Sequence, residues 1–303
     1  MRTSSWPRSA TPIRTTPVSI PTTARLWIGR LAEGRMTALT LHLRRQVLTA
    51  DAGGHRHWQT VTETVEQPAA ETGLLLCDVW DSHWCRGARE RLAPLLPRMN
   101  ATVHAARDAG VQIVHAPSDT MEFYADHPAR QRALAVEPVE PDAGLPEFAR
   151  AADSLVGKVF VEDGEYDPPL PVDAADNGTT VAENEPFKAW KRQHEAIDID
   201  AEGDLISDEG ARVHACLRER GINRLLILGV HTNMCVLHRT FAIKQMSRWN
   251  MRMALLRDLT DTMYSPARPP YVSHDEGTRL VVEYAEKFWC PSLLSGDILQ
   301  TDS

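Results

Sequence analysis

No apolar run in this 303-residue chain reaches 18 residues, so a membrane-spanning helix is excluded. Cysteine is scarce: there are five, an odd number, widely spaced. A disulfide framework does not fit that pattern, and a reducing, cytoplasmic setting does. Positive charge is in short supply too. Lys and Arg number 33 against 41 Asp and Glu, a net charge of −8. Phosphate recognition needs a basic surface, so nucleic acid is not an expected partner. Nor does a Gly-rich phosphate loop follow the first apolar strand, and no organic cofactor is expected. What remains is ordinary for a folded globular protein, with 43% hydrophobic and 24% charged residues.

The charge is unevenly spread. Residues 1–36 hold six Arg and one acid, Glu33, a balance of +5 that leaves −13 for the remainder. This opening is rich in Ser, Thr and Pro and has no apolar stretch of the secretory kind. Its composition fits a transit peptide. The alternative is a start assigned too far upstream, with Met36 as the working initiator. On either reading residues 1–36 form a disordered extension.

Leu39, Leu41 and Leu43 alternate with Thr40, His42 and Arg44, a period of two. With the turn at Asp51-Ala52-Gly53-Gly54 and an extended stretch from Trp58 to Val65, this predicts a β-hairpin over 37–71 flanking the core. From 72 onward strand and helix signals alternate. Leu74–Cys77, Val111–Val114, Leu225–Leu228 and Met253–Leu256 read as buried strands, and a short one is expected near Ser292–Leu294. Helical spacing falls between them, as in Leu92, Leu95, Leu96, Met99 and Val103. The pattern predicts one α/β domain over 72–303, a doubly wound parallel sheet with helices on both faces. Residues 117–203 break the rhythm and hold nine of the twenty prolines. Their core, 119–190, is expected to be an insert that closes over the site as a lid.

In such a sheet ligands bind at the carboxyl ends of the strands. Asp78, His115 and the run His231-Thr232-Asn233-Met234-Cys235 all stand there. Cys235 opens a helix after a tight polar turn. The helix dipole would favour a thiolate, and the free N–H groups of that turn could hold an oxyanion. A small buried apolar residue is the plain alternative for a free cysteine. A thiol nucleophile wants a base, and Asp78 ends the neighbouring strand; its plain alternative is a turn cap. Lys188 and Lys191 are the candidate cations, or else ordinary surface lysines.

Asp78 at a strand end, a mid-chain lysine and the turn Gly229-Val230-His231-Thr232-Asn233-Met234-Cys235-Val236 resemble the isochorismatase-like cysteine hydrolases. That superfamily includes nicotinamidases, N-carbamoylsarcosine amidase and ureidoacrylate amidohydrolase. The likeness spans residues 72–298; Leu205 and His274 fall where the family shows such residues. It implies a Cys-Asp-Lys triad, with Cys235 as nucleophile, Asp78 as base and Lys191 as cation, Lys188 being held in reserve. It implies a non-proline cis peptide before His231, which would place the N–H groups of His231 and Cys235 at the oxyanion. It further implies thioester chemistry on a small amide or ureido/carbamoyl substrate, and a homo-oligomer.

Aromatic and polar residues near these positions give the expected substrate pocket: Trp80, Trp84, His115, Tyr124, Trp190 and Asn233. No metal is expected. The Asp-x-His spacing of nicotinamidases is not found after the second strand, where His115, Asp119 and His127 are spread out. Two alternatives stand beside the hydrolase: a non-catalytic small-molecule-binding protein on the same scaffold, and a metal-dependent, nicotinamidase-type hydrolase.

Overall fold

The computed structural model describes residues 37–142, 144, 161–162, 165–166, 168–173 and 189–300. The predicted extension over 1–36 lies outside them, as do 35 of the 72 residues of the predicted insert, including Phe148, Phe160, Phe187 and Lys188.

The strands with continuous apolar sequence do form the centre. They are β3 (Thr72–Cys77), β4 (Gln112–Ala116), β8 (Arg224–Val230) and β9 (Arg252–Asp261). β1 (Ala38–Ala50), β2 (Arg56–Pro68), β7 (Leu205–Ile206) and β10 (Ser292–Leu293) complete an eight-stranded sheet in the order β2-β1-β10-β9-β8-β3-β4-β7. All pairings from β10 to β7 are parallel, and β1 joins β10 antiparallel at Arg44 and Ser292. A two-residue pair, β5 (Val161–Glu162) and β6 (Glu165–Tyr166), stands apart. The predicted hairpin is present, but as the edge of the main sheet rather than a flank.

Why the central strands are apolar throughout is clear from their parity. Successive side chains leave a strand on opposite faces. Leu75, Cys77, Leu225, Ile227 and Leu255 pack into the core on one face. Leu74, Leu76, Leu226, Leu228 and Leu256 pack into the core on the other. The first face is covered by α4 (Gly210–Glu219), α5 (Cys235–His238), α6 (Ile243–Arg248) and α7 (His274–Phe288). The second takes α2 (Leu96–Asp108), with Met99 and Val103 fully buried, α8 (Gly296–Leu299) and the Leu39-Leu41-Leu43 row of β1. Two shorter helices, α1 (Arg86–Leu92) and α3 (Pro128–Leu134), follow β3 and β4. Among the described residues no helix is long and apolar enough to cross a membrane.

Candidate active site

β3 ends at Cys77, and Asp78 turns out of the strand with φ 49°. Left-handed backbone costs an L-residue about 1–2 kcal/mol, and aspartate is among the few that accept it. The turn sinks the carboxylate completely. Its Oδ1 accepts the Ser118 N–H at 2.8 Å. Its Oδ2 accepts Nε–H of Arg239 at 3.0 Å. The Cys235 thiol donates to the same carboxylate.

The sulfur reaches Asp78 because β8 crowds β3. Gly229 has φ 120°, and a Cβ there would lie 2.0 Å from the Cys77 carbonyl oxygen. Glycine alone permits that approach. The Val230–His231 peptide that follows is cis, as the resemblance implies, and the His231 N–H donates to the Cys235 sulfur. The rest of the turn is tied to β9 and its exit. Thr232 donates its N–H to Asp261 O at 2.8 Å. The Asn233 amide exchanges two 2.9 Å bonds with the Met263 backbone. Asp261 is held in turn by Arg91 at 2.9 Å and His274 at 2.8 Å.

The electrostatics differ from the expectation drawn from the helix. Burial, and then the Asp78 charge, push the Cys235 thiol up to about 12. α5 is a single turn, Cys235–His238. So short a helix has little dipole to set against desolvation. Burial also raises Asp78 above the usual carboxylate range, while Arg239 pulls it back. Burial would lower Arg239, but Asp78 and Cys235 more than offset it and hold the guanidinium above its ordinary value. The resting site is a thiol donating to a carboxylate, not a free thiolate.

The cation is a second correction. Arg239, not Lys191, pairs with Asp78. Lys191 is exposed, and its backbone N–H is spent on Asp81 Oδ1 at 2.9 Å. Lys188 lies outside the described residues. Arg239 stands four residues after Cys235, so one helical turn returns it to the side of that thiol.

A cavity of about 250 Å³ opens beside Asp78 and His231, walled by Trp80, Asp81, His83 and Arg89. Leu92 and Leu96 add an apolar side. Trp80 lies flat on Trp190, centroids 4.2 Å apart, and donates its indole N–H to Ser118 O at 3.0 Å. Trp190 also stacks on His83, so it braces this wall from behind. The other residues expected in the pocket sit elsewhere. Trp84 packs on Cys85, Ala88 and Met263. His115 is fully buried between Gln193 Oε1 and Asp204 Oδ2, both at 2.9 Å, so both ring nitrogens are taken. The Tyr124 hydroxyl accepts the Gln193 N–H at 2.9 Å and borders a separate groove with Phe123 and Arg192. Asn233 is the turn's clamp rather than a wall.

Burial, and for His231 the neighbouring His83, hold two imidazoles here neutral, His83 down to about 4 and His231 to about 3. In the unfolded chain both return to about 6.5. Below that pH the unfolded state binds protons that the folded state refuses. Stability present above pH 6.5 is therefore lost as pH falls toward 4 and 3. From pH 6.5 to 4.5, His231 alone accounts for about 2 kcal/mol of that loss. Thermal unfolding at the two pH values should show a fall in midpoint that is smaller in His231→Gln. An equal fall in both would take His231 out of the account.

No protein-family model and no curated protein matches the chain. Solved structures do resemble it. A cysteine hydrolase from Pseudomonas syringae pv. phaseolicola 1448A is 14% identical, over 77% of this chain and 92% of that one, with a TM-score of 0.45. An isochorismatase family protein from Desulfovibrio vulgaris is 13% identical over 75% and 95%, TM-score 0.40. N-carbamoylsarcosine amidase from Thermoplasma acidophilum is 12% identical over 74% and 96%, TM-score 0.36.

Proposed function

We propose that the protein is a cysteine hydrolase of the isochorismatase-like kind, cleaving a C–N bond in a small amide or ureido/carbamoyl compound. The observation that carries this reading is the Cys235 thiol donating to a buried carboxylate, Asp78, at the edge of a cavity. A structural cysteine has no use for a buried charge beside it, which costs several kcal/mol to desolvate.

The steps follow from the donors and acceptors present. As the sulfur attacks the substrate carbonyl carbon, its proton moves to Asp78. The oxyanion that forms accepts the N–H groups of His231 and Cys235. Arg239 keeps its proton, because an arginine guanidinium is not deprotonated in a protein. The proton on Asp78 is therefore the one handed to the leaving nitrogen. Amine or ammonia departs and a thioester remains on Cys235. Asp78, ionised again, takes a proton from water as that water attacks the thioester. The acid is released and the thiol regains its proton.

The test is a panel of small amides and ureides assayed for ammonia or amine release, with acid-quenched samples weighed by mass spectrometry. Release together with an acyl adduct on Cys235 is the expected result. Release without any adduct would point to a metal-dependent route. Binding with neither would make the protein a small-molecule binder.

A further inference from the structure

A second cavity lies at the opposite end of the sheet, where β8, β9 and β10 begin. It is larger than the first, about 330 Å³. Three arginines line it, Arg45, Arg224 and Arg252, against one acid, Glu63. Trp289, Met251 and Leu43 give it an apolar floor.

The arginines are placed in an unusual way. Arg224 and Arg252 are register partners, the first residues of two neighbouring parallel strands. Like charges set opposite each other across strands are destabilising. Arg224 is also buried, with 7% of its surface exposed. Its Nε donates to a neutral partner, Gln67 Oε1, at 3.0 Å. Buried charges in folded proteins are ordinarily paired. Burial and then the nearby Arg252 lower its pKa to about 10, with the Glu63 charge only partly opposing them. Arg252 is committed to Asn223 through Nε and Nη2, which fixes it at the mouth.

An independent observation comes from the other wall. Ser247, on α6, is 7% exposed, and its hydroxyl has no hydrogen-bond partner. It lines this same cavity. Buried hydroxyls without partners are rare in folded proteins and call for an explanation. An acceptor arriving in the cavity would satisfy the Ser247 hydroxyl and the free end of the Arg224 guanidinium together.

We infer that this cavity is a binding site for a small oxyanion, a phosphate or carboxylate group carried on a flat or apolar body. The anion sits between Arg224, Arg252 and Ser247, and the body rests on Trp289 and Met251. The inference is independent of the proposed hydrolase activity, which uses the other end of the sheet.

The experiment is calorimetric titration of the full-length protein at fixed ionic strength, with inorganic phosphate, phenyl phosphate and benzoate as probes. Saturable one-to-one binding is expected, tighter for the aromatic probes than for phosphate alone. Comparison of phenyl phosphate with benzoate identifies the anionic group. Arg252→Gln and Ser247→Ala should each weaken binding, the first by about tenfold, since it removes a charge-assisted contact. Arg224→Ala also frees Gln67 and could unfold the β2 edge, so the other two variants carry the test. Cys235→Ala should bind as the parent does, because its cavity is elsewhere. The inference fails if no probe gives saturable binding. It fails equally if Arg252→Gln and Ser247→Ala bind unchanged, or if Cys235→Ala abolishes binding.

Discussion

Cys235→Ala is expected to abolish turnover on any substrate found for this protein, and Asp78→Asn to do nearly the same. Losses of about 10⁴–10⁶ in kcat are typical when one member of a nucleophile–base unit is removed. The reasoning rests on where the proton sits. The thiol, pushed up to about 12, holds almost no thiolate at neutral pH. It acts only by passing its proton to Asp78 during attack. An asparagine at 78 cannot take that proton, so the sulfur stays inert. The double variant should then be no worse than either single one, because the two residues act as a unit. Rates of the three variants on one substrate decide the matter. Additive losses, or a Cys235→Ala protein that keeps even a tenth of the activity, would remove the thiol from the chemistry.

Arg239→Ala carries the second large effect, and its signature lies in pH dependence. Asp78 must be ionised to act as a base, and burial already raises it. The arginine opposes that rise. Without it the carboxyl moves further up, and the acid limb of kcat/KM shifts toward neutrality. At pH 7 the loss should be about 100-fold, and largest at lower pH. A buried carboxylate stripped of its partner also destabilises the fold by roughly 3 kcal/mol, which a drop in Tm would register. Arg239→Lys restores the charge without the planar donor and should recover only part of the activity. An acid limb that does not move in Arg239→Ala would mean that the arginine pairs with Asp78 without setting its ionisation.

The frame of the molecule is legible in the sequence because its strands are both short and wholly apolar. Leu74–Cys77 and Leu225–Leu228 can be little else, and the residues after them must lie at one edge of the sheet. Asp78 and Cys235 follow from that edge alone. What escaped the sequence reading lies in side-chain geometry. Arg239 follows a one-turn helix, Cys235–His238, too short to leave a periodic signal. His115 looks like a pocket residue because it ends β4, yet its partners Asp204 and Gln193 come from a segment with no regular pattern. β7 is two residues long, below what alternation can reveal. The thiol's ionisation also depends on burial, and burial is a property of the assembled fold.

The pairing of Asp78 with Arg239 has a consequence for how such a protein can change. The Cys235 thiol and the Arg239 cation sit within five consecutive positions, on a turn clamped to β9. The charge arrangement therefore travels as one cassette with strand β8. A segment elsewhere need not keep a basic residue in place for the sake of Asp78. Residues 117–203 need not supply that cation, although Ser118 still holds Asp78 through its N–H and Asp119 lies 3.7 Å from Arg239. In an engineering setting, sequence exchange aimed at a different substrate would therefore have to spare Ser118 and Asp119.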